Sequence, residues 1–339
     1  MSDLEKTLRL RSVYRVLSSY LRFKMGKPRL SYIVYCCTAR CNLRCVFCNW
    51  WRCNIEELKT GDALKVVGQL ADFGVVAIDF SGGEPTLRED LEILAGDARE
   101  RGVYTVLSTN GTTITGSRAK SLSRVFDVVN ISLDGFEYTH DSTRGVTGTY
   151  RRVLKTIQHL RENNVKVGID LTIYSANVDE AVQLFKNLIG AVDFVSFQPV
   201  MPYPPPVELK PESEKVNMLI KSLLELKEDM PQFIAPTRWY IEAVERYFQC
   251  GMSKICDAGT LYAMIDPDGT LLACNAVRGS VIGKITETPL KDLWVSGKRA
   301  HALKAVDSCR GCLSQCTTLI SMSYRKPSLE TIKSLVNYA

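Results

Sequence analysis

Short apolar runs alternate with amphipathic stretches through the first 200 residues of the chain. The apolar runs are rich in valine and isoleucine and lack strict alternation with polar residues, as expected for strands buried on both faces of a parallel sheet. The predicted strands are residues 31–37, 75–80, 103–108, 127–133, 166–173 and 193–198, and the predicted helices between them are residues 55–73, 88–101, 116–125, 148–163 and 178–189. Six such units are too few for a closed eight-stranded barrel, so the pattern predicts an α/β fold with a partial (β/α)6 barrel.

Other segments flank this predicted barrel. Residues 4–24 have the spacing of an amphipathic basic helix, and proline-rich residues 201–213 can be neither helix nor central strand. Further helices are predicted at 214–229 and 237–249, and a terminal helix after Pro327. The predicted division is a basic N-terminal helix in 1–30, the barrel in 31–200, a connector with helices in 201–249, a small cysteine-containing domain in 250–325 and a C-terminal helix in 326–339.

Composition and charge restrict the possible partners. With 45% hydrophobic and 24% charged residues, the chain resembles an ordinary globular protein, and it has neither a membrane-spanning run nor an apolar signal core. We therefore expect a cytoplasmic protein. Residues 1–30 hold eight basic and two acidic residues, which accounts for the whole net charge of +6. This asymmetry predicts an acidic partner, with an anionic membrane surface as one form of it, while the balanced remainder argues against a nucleic-acid partner.

Twelve cysteines form two groups, one near each end of the chain. Because disulfides are rare in reducing compartments, metal or cluster binding is the better interpretation. In the first group, Cys41, Cys45 and Cys48 form a CxxxCxxC motif directly after the first predicted strand. Three thiolates can hold a [4Fe-4S] cluster and leave one iron open for another ligand. A zinc site is the alternative, although zinc prefers four ligands.

A second motif, Ser81-Gly-Gly-Glu-Pro-Thr86, follows the second predicted strand. Adjacent glycines allow a ligand to approach the backbone closely. The carboxylate of Glu84 and nearby carbonyl groups would suit an ammonium group. Because the two strands are neighbours in the predicted sheet, this loop should lie beside the cysteine loop.

Together these motifs resemble the radical S-adenosylmethionine superfamily, and the likeness continues through residues 108–111, 131–135 and 140–145. It implies a partial TIM-like barrel and S-adenosylmethionine chelated to the open iron. Reductive cleavage would then give a 5′-deoxyadenosyl radical, with the electron supplied by a ferredoxin- or flavodoxin-type donor. The implied cofactor-binding residues are Phe47 and Gln198 near adenine, Gly82, Gly83 and Glu84 at the methionine amine, Ser132 at the ribose or carboxylate, Arg144 at the carboxylate, and Asn110 in the third motif.

The second cysteine group resembles a SPASM or twitch extension of that superfamily, which binds auxiliary clusters. Asp268-Gly269 predicts a hairpin that places Cys256 and Cys274 on facing strands. Only six cysteines are present from Cys250 on, so one auxiliary [4Fe-4S] cluster is expected rather than two. Its expected ligands are Cys256, Cys274, Cys309 and either Cys312 or Cys316, with Cys250 in an alternative set and structural zinc as the other interpretation. The remaining thiols, Cys36, Cys37 and Cys53, are expected to be ordinary buried or spare ones.

Three functions are consistent with these motifs. The favoured hypothesis is a radical enzyme that abstracts hydrogen from an unactivated C–H bond of a membrane lipid or isoprenoid chain, because of the basic helix. A peptide or protein maturase and a noncatalytic iron–sulfur redox protein are the alternatives. The motif at 81–86 argues against the redox protein, which needs no cofactor pocket. Trp50 and Trp51 could shield the cluster, line the substrate cavity or pack in the core.

Overall fold

A computed structural model describes residues 3–201, 206–249 and 254–326, with side chains from residue 11 onward. The strands are β1 Tyr32–Thr38, β2 Ala77–Gly82, β3 Tyr104–Thr109, β4 Val128–Ser132, β5 Lys166–Ile173, β6 Phe194–Pro199, β7 Tyr262–Ile265, β8 Thr270–Leu272 and β9 Val281–Lys284. The helices are α1 Asp3–Lys24, α2 Thr60–Phe73, α3 Leu91–Glu100, α4 Gly116–Leu122, α5 Glu137–Arg144, α6 Thr149–Glu162, α7 Ala181–Asn187, α8 Ser213–Asp229, α9 Arg238–Gln249, α10 Leu290–Trp294, α11 Gly297–Asp307 and α12 Gln315–Arg325.

The strands form one nine-stranded sheet in the order β6-β5-β4-β3-β2-β1-β7-β8-β9. Strands β1 to β6 are parallel neighbours in sequence order, so all six predicted strands and the partial barrel are confirmed. The carboxyl ends of these strands meet at one rim, where such barrels carry their active sites. The loops after β1, β2, β3 and β4 therefore lie at the same rim.

The C-terminal hairpin extends the barrel sheet. Strand β7 pairs in parallel with β1, and β8 and β9 follow in antiparallel order. The predicted turn is present at Gly269, whose φ is +84°. Cys274 lies just after β8, and Cys256 lies in the loop well before β7, so neither is on the facing strands as expected.

Helix α1 lies at the amino ends of the strands, opposite the site rim. Arg15 donates to the carbonyls of Ala71, Val75 and Arg101 at 3.0 to 3.1 Å. Tyr324 of α12 packs edge-on against Phe23 at 5.5 Å. The basic helix thus caps the carboxyl ends of α2 and α3, where positive charge is favourable.

The outer stripe of α1 remains accessible. Val13, Leu17 and Leu21 are 44%, 56% and 58% exposed. No helix among the described residues is both long and apolar enough to cross a membrane.

Some elements differ from the sequence-based expectation. Residues 55–59 are not helical, because Leu58 donates its amide to Pro267 and Glu57 binds Arg40. Helix α5 was not predicted, and neither were α10, α11 and α12. The expected helix after Pro327 lies outside the described residues, as does Cys250.

Candidate active site

The cysteine loop after β1 is held by contacts on both sides. On one side the amides of Arg44 and Val46 donate to the carbonyls of Arg144 and Thr143, each at 3.0 Å. On the other, the buried guanidinium of Arg88 donates to the carbonyls of Cys37 and Leu58 at 2.9 and 2.7 Å. These contacts fix the loop in the protein itself, before any cofactor is considered.

The sulfurs of the three cysteines in this loop each have a hydrogen-bond donor nearby. The amides of Leu43 and Trp50 point to the sulfurs of Cys41 and Cys48, each at 3.5 Å. Burial raises the pKa of both thiols, and these amides partly offset that effect. The Arg144 Nη1 atom lies 3.6 Å from the Cys45 sulfur. Amide and guanidinium donors stabilise sulfur that carries negative charge, as in iron–sulfur sites.

The glycine loop after β2 packs directly on the cysteine loop. The amides of Gly83 and Glu84 donate to the carbonyls of Thr38 and Arg40, each at 2.8 Å. Gly82 has a φ of +129°, and a Cβ atom there would overlap the carbonyl oxygen of Thr38. A Cβ atom on Gly83 would overlap the carbonyl of Arg40. Only glycines permit this close approach.

Glu84 is completely buried and binds the end of β3. Its Oε1 accepts from Thr109 Oγ1 at 2.7 Å and from Thr86, while Oε2 accepts from the Asn110 amide at 2.7 Å. The Asn110 side chain in turn donates to Asn42 of the cysteine loop at 2.9 Å. The carboxylate thus joins three rim loops. Contact of Glu84 with a methionine amine remains a prediction.

Arg144, at the end of α5, forms an ion pair inside the site. Its Nη2 lies 2.6 Å from Asp134 Oδ2, and its guanidinium stands 5.8 Å from the Phe47 ring centre. The Nε atom is buried and has no hydrogen-bond partner among the described residues. In this structure Arg144 therefore binds Asp134 and Cys45, and its predicted bond to a carboxylate would use the remaining donor.

These loops surround a cavity of about 490 Å³ inside the barrel, the size of a small-molecule site. The predicted site residues that line it are Cys41, Cys45, Phe47, Cys48, Gly82, Gly83, Asn110, Ser132, Arg144, Gln198 and Cys316. Glu84 lies behind the glycines and does not line it. The cavity therefore brings together both motifs and the ends of β4 and β6, an arrangement that fits a cluster with a bound S-adenosylmethionine.

Four C-terminal cysteines form a second group behind this cavity. Burial raises the pKa of Cys256 and of Cys274, and neighbouring thiols add to it: Cys274 and Cys312 for Cys256, and Cys312 and Cys309 for Cys274. An amide two residues further along the chain donates to each sulfur, as it does for Cys41 and Cys48. Cys316 receives no such amide bond among the described residues, and its sulfur faces the cavity instead. The geometry favours Cys312 over Cys316 as the fourth member of the group.

No three His, Cys, Asp or Glu side chains converge on a single-ion position within the described ranges. The ligands of a cubane cluster surround a larger body than a single ion, so their sulfurs stand further apart.

The three cysteines that were not predicted as ligands differ in burial and in position relative to the cavity. Cys36 is buried and lines the cavity, Cys37 is buried outside it, and Cys53 is exposed.

Sequence reasoning missed a polar group in the middle of the barrel. Asp79 accepts from Ser108 Oγ at 2.8 Å and from the Tyr32 hydroxyl at 3.2 Å. Burial raises the pKa of Asp79 to about 6 and that of Asp170 to about 7. An aspartate inside an otherwise apolar strand was the available signal. No sequence feature marked Gln315 as a cavity residue, because it belongs to helix α12, which was not predicted.

A basic aromatic stack lies at the mouth of the cavity. The guanidinium of Arg44 stands 5.0 Å from the Trp51 ring centre, and that of Arg52 stands 4.5 Å from it. Both arginines are exposed, and neither forms an ion pair with an acidic residue in the described part of the chain. Trp50 and Trp51 both line the cavity, and Trp50 also packs against the hydrophobic core.

Comparison with known proteins gives two family matches. Residues 35–188 match the model of the radical SAM superfamily, and residues 256–316 match SPASM, an iron–sulfur cluster-binding domain. The solved structure of native anSMEcpe with bound AdoMet has a TM-score of 0.66 at 20% identity. That match covers 91% of this chain and 95% of the other, so the two share a fold.

Curated relatives include tetrapyrrole and peptide enzymes. Fe-coproporphyrin III synthase of Methanosarcina barkeri is 40% identical over 51% of this chain, and the match spans only 44% of that relative's length. AdoMet-dependent heme synthase of the same organism is 27% identical, over 85% of this chain and 88% of the relative. PqqA peptide cyclase of Granulibacter bethesdensis is 25% identical, over 81% and 77%. With both family models matched on the two cysteine-bearing regions, the chain belongs to the radical S-adenosylmethionine superfamily and carries a SPASM domain.

Proposed function

We propose that this protein is an enzyme that reductively cleaves S-adenosylmethionine and abstracts hydrogen from a substrate held in the barrel cavity. The observation that carries this proposal is the shared cavity of the three-cysteine loop, the two glycines, Ser132 and Arg144. Cys41, Cys45 and Cys48 would hold a [4Fe-4S] cluster, which supplies the electron for C–S bond cleavage. A ferredoxin- or flavodoxin-type protein would reduce it.

The chain's own residues position the reactants. Gly82 and Gly83 leave room for a ligand at the rim, Phe47 offers a ring face, and Arg144 offers its free donor. The apolar part of the cavity wall and the tryptophans would limit the access of water, which protects a reactive intermediate. The C-terminal group of Cys256, Cys274, Cys309 and Cys312 would hold one auxiliary [4Fe-4S] cluster.

For the substrate, we propose a planar, carboxylate-bearing tetrapyrrole. Two relatives described above are named for tetrapyrrole synthesis, and the stack of Arg44, Trp51 and Arg52 suits such a molecule. An aromatic ring can pack on a macrocycle. The Arg52 guanidinium, together with the Arg44 nitrogens that do not bind the Cys41 and Leu43 carbonyls, can bind its carboxylates.

Binding of Fe-coproporphyrin III to the reconstituted protein tests this substrate class. The double variant Arg44→Gln/Arg52→Gln should weaken binding about tenfold, or about 1.4 kcal/mol, as measured by the shift of the Soret band. The effect should shrink at high salt. The variant Lys120→Gln/Arg124→Gln removes two exposed charges near α4 and should leave affinity unchanged. Equal affinity in wild type and the rim variant would refute the tetrapyrrole assignment.

A peptide substrate is the second candidate. It is favoured by the PqqA peptide cyclase likeness, which extends over most of both chains. In that case Fe-coproporphyrin III would not bind, and a peptide would enter by the same mouth.

The lipid or isoprenoid substrate is less well supported. None of the relatives described above is named for a lipid, and Arg15 of the basic helix is engaged in helix caps. Its remaining support is the exposed stripe of Val13, Leu17 and Leu21.

A further inference from the structure

Helix α12 places one cysteine in the reaction cavity. The first residue of the helix, Gln315, accepts a hydrogen bond from Ser196 Oγ at 2.7 Å, and its amide donates to Gln198 Oε1 at 3.4 Å. The helix therefore begins against β6, across the open side of the barrel. Cys316 follows and lines the same cavity as the three-cysteine loop. Cys256, Cys274, Cys309 and Cys312 do not line this cavity.

The surroundings of Cys316 are those of a thiol rather than a cluster ligand. Its sulfur lies 3.0 Å from Ser314 Oγ, and the buried Tyr262 hydroxyl, Asp79 and the Cys312 thiol are its other polar neighbours. Among the described residues, the Cys316 sulfur accepts no hydrogen bond from a guanidinium group or from the backbone amide two residues further along the chain. These features differ from those of the seven other predicted cluster ligands, each of which has an amide or Arg144 as a donor.

Polar side chains in the cavity that Cys316 lines indicate that a ligand binds here. Asn130 Oδ1 is inaccessible to solvent and lacks a hydrogen-bond partner among the described residues, whereas the buried Asp170 carboxylate interacts with the Gln315 side chain. All three residues line the cavity. Buried groups without partners cost free energy, which a polar group of a bound molecule would recover. Such a molecule would lie in the cavity that Asn130, Cys316 and the three-cysteine loop all line.

We propose that Cys316 donates a hydrogen atom to a carbon radical in this cavity and is not an auxiliary-cluster ligand. The S–H bond breaks, a C–H bond forms, and the sulfur is left as a thiyl radical. One electron from the ferredoxin- or flavodoxin-type donor and one proton from solvent restore the thiol. An S–H bond is weaker than an aliphatic C–H bond, so the transfer is favourable. This inference rests on the proposed radical chemistry and adds the step in which the carbon radical is quenched.

Cys36 also lines the cavity, and it provides a matched comparison. It is only 3% exposed and lies in β1 between β2 and β7, whereas Cys316 is partly exposed and adjoins Gln315. A donor must reach the reacting carbon, which favours Cys316. The variants Cys316→Ala and Cys36→Ala remove one cavity thiol each.

A substrate-free reaction in D2O tests the proposal. The reconstituted full-length protein is incubated with S-adenosylmethionine and dithionite, and the 5′-deoxyadenosine is analysed by mass spectrometry. Thiol hydrogens exchange with D2O and carbon-bound hydrogens do not. Most product from wild type and from Cys36→Ala should therefore carry one deuterium, while that from Cys316→Ala should carry almost none. Equal labelling in wild type and Cys316→Ala would overturn the donor role.

Iron content separates the thiol role from a ligand role. Wild type and Cys316→Ala should each hold about eight irons, and Cys312→Ala about four, since each cubane has four. A fall to about four irons in Cys316→Ala would overturn the proposal. The absence of any 5′-deoxyadenosine from wild type would overturn the proposed function and the donor role together, whereas unlabelled 5′-deoxyadenosine from wild type would overturn the donor role alone.

Discussion

At the scale of single residues, two glycines determine how closely the cofactor loops approach each other. A Cβ atom on Gly82 would overlap the Thr38 carbonyl, which belongs to the end of the strand that presents the cysteines. We expect Gly82→Ala to lower the rate of S-adenosylmethionine cleavage by about tenfold or more, because the loop must shift. Gly61→Ala, where a Cβ meets no neighbour, is the control and should leave the rate unchanged. A Gly82→Ala enzyme with the wild-type rate would show that the close approach is dispensable.

Asp170 should make stability depend on pH. Burial raises its pKa to about 7, so the folded protein binds this proton more tightly than the unfolded chain, in which the pKa is about 4. This contribution to stability is complete below about pH 4 and is lost as pH rises through 7. The free energy of unfolding of wild type should therefore fall relative to Asp170→Asn between pH 5 and pH 8, by at most about 1.4 kcal/mol per pH unit. Urea unfolding at several pH values measures this.

The exposed Asp72 provides the control for that series. Its side chain is 80% exposed, so Asp72→Asn should run parallel to wild type at every pH. A constant difference between wild type and Asp170→Asn across the range would mean that Asp170 ionises normally in the folded protein.

Sequence alone located the residues whose role depends on local motifs. Cys41, Cys45, Cys48, Gly82 and Gly83 were predicted because their spacing and their place after a strand carry the information. The partners of Glu84 and Arg144 could not be predicted, since Thr109 lies at the end of a neighbouring strand and Asp134 is brought back to Arg144 by the unpredicted helix α5. The same holds for Cys316, whose direction depends on where α12 begins.

At the scale of elements, α1 is a structural cap for the barrel. Arg15 donates to carbonyls at the ends of α2 and α3 and to that of Val75, so Arg15→Ala should lower the free energy of unfolding by about 2 kcal/mol. Arg22→Ala, which removes an exposed charge of the same helix, should change it by less than about 0.5 kcal/mol. Thermal or urea unfolding of the two variants measures the change in the free energy of unfolding. Equal effects of the two substitutions would contradict the capping role.

The outer face of α1 permits a separate test of membrane binding. Cosedimentation with anionic vesicles at low and high salt would detect association through its basic and apolar residues. Deletion of residues 1–25 is unsuitable as the only test of membrane binding, because it would also remove the Arg15 contacts that stabilise the fold. The variant Leu17→Ser/Leu21→Ser changes only exposed positions, so it should abolish any vesicle binding without unfolding the protein. Binding that survives this change would show that the exposed stripe of α1 is not the contact.

Elements were predictable where periodicity was strong. All six barrel strands were found, because their apolar runs are buried on both faces. Residues 55–59 were wrongly predicted as helical, since their contacts with Pro267 and Arg40 come from distant parts of the chain. Helix α12 has a short mixed sequence with threonines and serines, which gives little helical signal.

At the scale of the whole molecule, one sheet carries both cysteine regions. The pairing of β7 with β1 joins the C-terminal hairpin to the strand that presents the first thiols. Helix α12 then crosses from this edge to β6, as the bond between Gln315 and Ser196 shows. The cavity is therefore enclosed by segments from both ends of the chain. Sequence patterns could not reveal this, because parallel pairing between β1 and β7 leaves no local signature.

The most direct test of the account is S-adenosylmethionine cleavage by the anaerobically reconstituted protein. With dithionite as reductant, wild type should produce 5′-deoxyadenosine, and Cys45→Ala should produce none while keeping about four irons in the auxiliary cluster. Cys53→Ala, which removes an exposed thiol outside the cavity, should behave as wild type. Undiminished 5′-deoxyadenosine production by Cys45→Ala would contradict the assignment of the radical chemistry to the cavity at the barrel rim.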